Sequence, residues 1–144
     1  MKKLTILLIS IAMLVILVLT LKERHMTHTA RNLDSGVSAC STEDAKTLLI
    51  SVRVGWRITD AWAFSKYFPG GSIKLAQDQL KNMVHRGELE VIGLHNLSEF
   101  VNPDGLEVKN DKIEREIESA TETKLDMKTG IKIESLVISS VKHH

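Results

Sequence analysis

Few side chains in this 144-residue sequence have the type and spacing for chemistry. His25 and His28 stand three apart and could chelate a metal ion, but two ligands fall short of the three or four that a zinc site needs. His143 and His144 at the C-terminus are limited in the same way. His85, beside Arg86, reads as a helix-surface residue. Ser65 and Lys66 are adjacent, and adjacent helix residues do not face each other, so they form no nucleophile–base pair. Neither G-x-S-x-G nor H-E-x-x-H occurs. Gly70-Gly71 follows Pro69 and reads as a helix breaker, not a phosphate loop. Cys40 is the only cysteine, which excludes an internal disulfide. Glu43 and Asp44 lie close to it in sequence and would raise its thiol pKa, which disfavours a nucleophile. No catalytic residue, cofactor or metal is therefore expected, and the chain reads as a non-enzyme. Its net charge of +1 offers no basic stripe to neutralise phosphates, which argues against a nucleic-acid partner.

The element that must position any function is at the N-terminus. From Leu4 to Leu21 the chain reads LTILLISIAMLVILVLTL, uncharged, with Lys2 and Lys3 ahead of it. At about 1.5 Å rise per residue this run just reaches across a hydrocarbon core about 30 Å thick. Thr5, Ser10 and Thr20 can return their hydroxyls to the helix's own carbonyls. The run is longer than a usual signal-peptide core, and Lys22-Glu23-Arg24-His25 follows where a small-residue cleavage site would stand. An uncleaved single-pass anchor in an inner or plasma membrane is the favoured reading, with membrane lipids as its partner. Val37-Ser38-Ala39-Cys40 is similar to a lipoprotein box but lies too far downstream. Basic residues flank the run on both sides, so the side of the soluble part stays open, with an extracytoplasmic placement favoured.

Behind the anchor, Lys22 to Lys46 is polar and without period, and reads as a linker. Thr47 to Ile58 alternates: Leu48, Ile50, Val52, Val54, Trp56 and Ile58 share one strand face. Asp60 is placed to cap a short helix, and Ser72 a longer one with Ile73, Ala76, Leu80, Met83, Val84 and Val91 on one stripe. Gly87 falls on that stripe and marks a close packing point or a kink. A short segment from Leu97 to Asn102 ends at the turn Pro103-Asp104-Gly105. Glu107 to Lys128 reads as a charged helix with a narrow stripe of Ile113, Ile117, Ala120 and Met127, supported by an Asp111–Arg115 pair. Gly130 stands where a left-handed cap would be, and Ile131 to Val141 reads as a closing strand with a slip near Ser135-Leu136. The fold class is α+β: a small sheet packed against helices.

Four stretches resemble the stomatin/prohibitin/flotillin/HflC family, known as SPFH or band 7. They are TEDAKTLLISVRVGWRITDAWAF (Thr42 to Phe64), SIKLAQDQLKNMVHRGELEVIG (Ser72 to Gly93), LSEFVNPDGLEV (Leu97 to Val108) and GIKIESLVISSV (Gly130 to Val141). The third is similar to a segment of a bacterial, HflC-like branch. Beside the basic N-terminus at 1–3, the transmembrane anchor at 4–21, the juxtamembrane linker at 22–41 and a tail at 142–144, the resemblance implies an incomplete SPFH-like domain at 42–141. The family's usual first half-domain and its long heptad helix are not found in this sequence, which leaves Leu48, Ile50 and Val52 short of cover.

The resemblance further implies a scaffold or modulator of membrane proteins, assembled as a homo-oligomer or with longer SPFH proteins, with a membrane AAA protease among the partners. Sheet edges would supply the contacts, and the charged helix would sort neighbours. Arg53, Arg57, Asp60, Asp111 and Arg115 form the candidate interaction surface, although the plainer reading of Arg53 and Arg57 is as solvated residues beside an exposed sheet face. Trp56, Trp62, Phe64, Tyr67 and Phe68 could form a membrane-interface belt; core packing of Trp56 and Phe64 is the plainer reading. Two alternatives stand beside this one: a secreted or periplasmic binding protein released near Ala30 or Ala39, and a degenerate fragment of the family.

Overall fold

A computed structural model describes residues 2–143. Helix α1 spans Lys2–His28, and strands β1 (Arg31–Ser41) and β2 (Thr47–Ile58) follow it directly. Helices α2 (Ala61–Tyr67), α3 (Ile73–Ile92) and α4 (Asp111–Lys124) come next, then strand β3 (Ile131–His143). Single 3-10 turns occupy Pro69–Gly71, Leu97–Glu99 and Met127–Thr129. Met1 and His144 lie outside the described residues, and with them half of the terminal histidine pair.

The three strands form an antiparallel sheet in the order β1-β2-β3. Along β2 the alternation holds as the sequence predicts: Leu48, Ile50, Val52, Val54, Trp56 and Ile58 are all fully buried. The helices cover this face, with Phe64, Phe68, Ala76, Leu80, Val84, Ile92, Ile113 and Ile117 packed into one core with it. The alternate set, Arg53 and Arg57 included, faces the other way.

The linker reading of 22–41 is overturned. Helix α1 runs on to His28, and Arg31–Ser41 is an edge strand paired with β2. This strand is largely polar and its alternation is broken. The register shifts between Asp34 and Val37, where Gly36 takes φ 77°. Asp34 holds the bulge by accepting from the Gly36 N–H at 2.8 Å and from the Ser51 hydroxyl at 3.0 Å. Ser35 and Ser38 are buried, so this strand turns hydroxyls inward where a readable strand would turn apolar groups. Leu48, Ile50 and Val52 are fully buried beneath the helices, so the expected shortfall of cover is not found.

Caps fall where the sequence places them. The Asp60 carboxylate accepts from the Ala63 N–H at 2.9 Å, and the Ser72 hydroxyl from the Leu75 N–H at 3.3 Å. Helix α4 is shorter at both ends than Glu107 to Lys128. Asn110 caps it, taking the N–H groups of Lys112 and Ile113. Met127 falls beyond its end and is 96% exposed, so it leaves the stripe that Ile113 and Ile117 keep. Gly130 is left-handed at φ 66° as expected, but it closes the 3-10 turn Met127–Thr129, since α4 is already capped at Leu125; its carbonyl accepts from the Thr59 N–H at 2.8 Å. β3 carries two bulges, leaving Glu134 and Ser139 unpaired with β2; the first sits one residue before the expected slip. The Glu114 carboxylate of α4 accepts from the Ile138 N–H at 2.9 Å beside the second. Gly87 is a close packing point: a Cβ there would stand 2.7 Å from the Thr121 hydroxyl of α4.

Candidate functional site

Between Ile6 and Leu21, helix α1 leaves its apolar side chains uncovered by the fold. From Ile6 to Leu21 its large hydrophobic side chains are all more than half exposed, and the helix is long and apolar enough to cross a membrane. Its C-terminal end is fastened to the domain. Met26 packs against the core. The Arg31 guanidinium donates to the carbonyls of Met26 at 3.3 Å and Thr29 at 2.7 Å, and lies 5.5 Å from the centre of the Trp56 ring. Burial lowers the Arg31 pKa from its ordinary value. Leu19, Lys22 and Met26 of α1 line a hollow together with Ala61, Trp62, Ser65, Gly70 and Gly71. Of the five aromatic residues between Trp56 and Phe68, Trp56, Phe64 and Phe68 are buried, whereas Trp62 and Tyr67 are exposed.

A second polar cluster lies under the β1 bulge. Glu88 on α3 is fully buried and accepts from the Ser35 hydroxyl at 3.0 Å, while Ser35 itself accepts from the Val52 N–H at 2.9 Å. His85 stands one turn away, its Nδ1 at 3.0 Å from the Ser38 hydroxyl and 3.5 Å from Glu88. Serine, histidine and carboxylate thus meet, but at the same ring nitrogen. A catalytic relay needs the serine on one nitrogen and the carboxylate on the other. Cys40 is buried nearby, and burial, with the Glu88 charge adding to it, pushes its thiol up to about 12. Ser139 and Lys142 have an S-x-x-K spacing, yet they lie on a strand, where three residues span roughly 10 Å. The Ser139 hydroxyl donates to the Ser51 carbonyl instead.

The third cluster centres on His95, in the loop after α3. Its Nδ1 lies 2.9 Å from Glu99 and its Nε2 2.6 Å from Glu116 of α4. Burial works to lower the His95 pKa, but the two carboxylates outweigh it and the net shift is upward. Glu99 and Glu116 are both held below the usual carboxylate range, chiefly by the bond from His95. The carboxylates approach opposite edges of the ring, so the three groups do not converge on a point. Among the described residues no group of three or more His, Cys, Asp or Glu is arranged to hold a metal ion. The turn between β1 and β2 locks this loop: the Glu43 N–H donates to the His95 carbonyl at 2.9 Å, and the Leu97 N–H to Asp44 at 3.0 Å. The Thr42 hydroxyl donates to Asp44 at 2.7 Å, and these bonds lower the Asp44 pKa. The acidic turn of the first resembling stretch is thus a structural tie.

The five interaction residues named from sequence do not form one surface. Asp60 is occupied by capping α2. Arg57 pairs with Glu134 at 2.9 Å on the outer sheet face, where Arg53 is exposed near Asp34. Asp111 pairs with Lys109 at 3.3 Å, not with Arg115, because Asp111 opens the helix where the preceding loop brings Lys109 alongside. Arg115 is exposed one turn on. Sequence reasoning missed His95 and Glu88, whose partners Glu116 and Ser35 lie 21 and 53 residues away. No protein-family model matches this chain, and no curated protein matches it.

Proposed function

We propose that this chain is a non-catalytic, single-pass membrane-anchored scaffold or modulator of the SPFH, or band 7, type. One observation carries the reading most: an apolar helix whose side chains have no cover in the fold runs unbroken into a folded α+β domain and is fastened there by Arg31 and Met26. Hydrocarbon is the natural cover for such a surface. The shared nitrogen at His85 and the buried Cys40 favour a non-catalytic role. β1 and β3 are the outer strands of the sheet and offer unpaired backbone to a second copy or to a longer family member. A membrane AAA protease is the partner class that the family resemblance adds.

Membrane fractionation with alkaline extraction tests the anchor. The full chain is expected to stay in the membrane, and a variant lacking 4–21 to become soluble. A mature N-terminus beyond Leu21, read by mass spectrometry, would overturn the anchor and favour a released binding protein.

A further inference from the structure

We propose that α2 and the 3-10 turns beside it form a second membrane contact, with Trp62 seated at the bilayer interface and Lys22, Lys66 and Lys128 facing the phosphates of anionic phospholipids. This rests on reading α1 as a span.

The uncharged run ends at Leu21, so the hydrocarbon boundary falls near Lys22. Leu19, Lys22 and Met26 bracket that level, and they line one hollow with Trp62, Ser65 and Gly71. Gly71 is close enough to α1 that a Cβ on it would meet the Met26 methyl at 3.9 Å. Helix α2 is thus held at headgroup depth by the same joint that fastens the span.

The exposed side chains of α2 suit the same depth. Trp62 is 70% exposed on the side of α2 opposite the buried Ala61 and Phe64. Tryptophan is the residue that interfaces favour, because its ring is apolar and its N–H is polar. Lys66 stands 4.8 Å from the Trp62 ring centre. Trp62, Lys66, Tyr67 and Lys128 line a second hollow, and Met127, almost wholly exposed, adjoins Lys128. Apolar tips alternating with lysines match a headgroup layer. Two acids beside α2 are turned to the backbone: Asp60 caps α2, and Asp126 accepts from the Lys128 N–H. Continuity with the apolar helix favours a lipid surface as the occupant, since Trp62 shares its hollow with Leu19 and Lys22 of α1.

Fluorescence of the full chain in vesicles tests this. Phosphatidylcholine vesicles carry lipid brominated high on the acyl chain, in either phosphatidylcholine or phosphatidylglycerol. Trp56 is fully buried and serves as the internal unquenched background. The wild type should be quenched by roughly half, more strongly by the brominated phosphatidylglycerol, and the Trp62→Phe variant not at all. Lys66→Gln with Lys128→Gln should remove the phosphatidylglycerol preference while quenching persists. An unquenched wild type that still resists alkaline extraction would overturn the interfacial contact and leave the span standing. Quenching unchanged in Trp62→Phe would overturn it as well. A chain that alkali strips from the vesicles would overturn both readings.

Discussion

His95 and Glu116 meet at 2.6 Å across the gap between the loop after α3 and the second turn of α4, while Glu99 holds the other ring nitrogen at 2.9 Å. The imidazole is the only bridge of its kind between these elements among the described residues, and its side chain is nearly buried.

This bridge makes stability depend on pH with a definite sign. The His95 pKa is raised above its ordinary 6.5, so its contribution is complete below that value and fades as pH climbs through the higher folded pKa. Glu99 and Glu116 are lowered from 4.5, so their contribution is complete above that and fades as pH falls further. The clasp is strongest between the two. Thermal melts in detergent should show the wild type losing stability above neutral pH, while His95→Gln starts lower by about 1–2 kcal/mol and stays flat there. An equal slope in both would place the pH dependence elsewhere.

Gly87 should not tolerate alanine. Helix propensity alone favours the change by about 1 kcal/mol. Against it, the new Cβ would stand 2.7 Å from the Thr121 hydroxyl and 3.3 Å from the Ile117 carbonyl, and overpacking of this kind costs about 1–3 kcal/mol. Gly87→Ala is expected to lower the melting temperature. Adding Thr121→Ala, which removes the nearer obstacle, should restore part of it; no restoration would mean that the backbone carbonyl sets the limit.

These residues also explain what could be read in advance. β2 was legible because its burial is local and periodic, and Asp60, Ser72 and Gly130 because caps act within a few residues. β1 was not, since its inward groups Ser35 and Ser38 take partners on α3 about fifty residues away. A buried serine reads as surface until its partner is known. His95 was missed for the same reason: Glu116 lies 21 residues on. Gly87 was legible as an anomaly on an apolar stripe, although only the fold supplies Thr121.

Cys40 should be inert. It is 2% exposed and its thiol is pushed up to about 12 by burial, so almost no thiolate exists near neutral pH. Native protein should leave maleimide unreacted and take up one equivalent on denaturation. Rapid native labelling would show that β1 opens from the sheet.

Glu88 separates shape from charge beneath the β1 bulge. Its Oε1 accepts from Ser35, while its Oε2 finds only His85 at 3.5 Å. Glu88→Gln keeps the shape and the acceptor for Ser35 and removes a buried charge that is poorly paired, so its stability should stay within about 1 kcal/mol of wild type. Glu88→Ala leaves a cavity and removes one of the two acceptors of the Ser35 hydroxyl, the other being the Gly36 carbonyl at 3.0 Å, and should cost about 2–4 kcal/mol. Because Ser35 also accepts the Val52 N–H, the loss should spread into the β1–β2 ladder. Amide exchange at Val52 should therefore quicken in Glu88→Ala and not in Glu88→Gln. Equal protection in both would mean that the bulge is held by Asp34 alone.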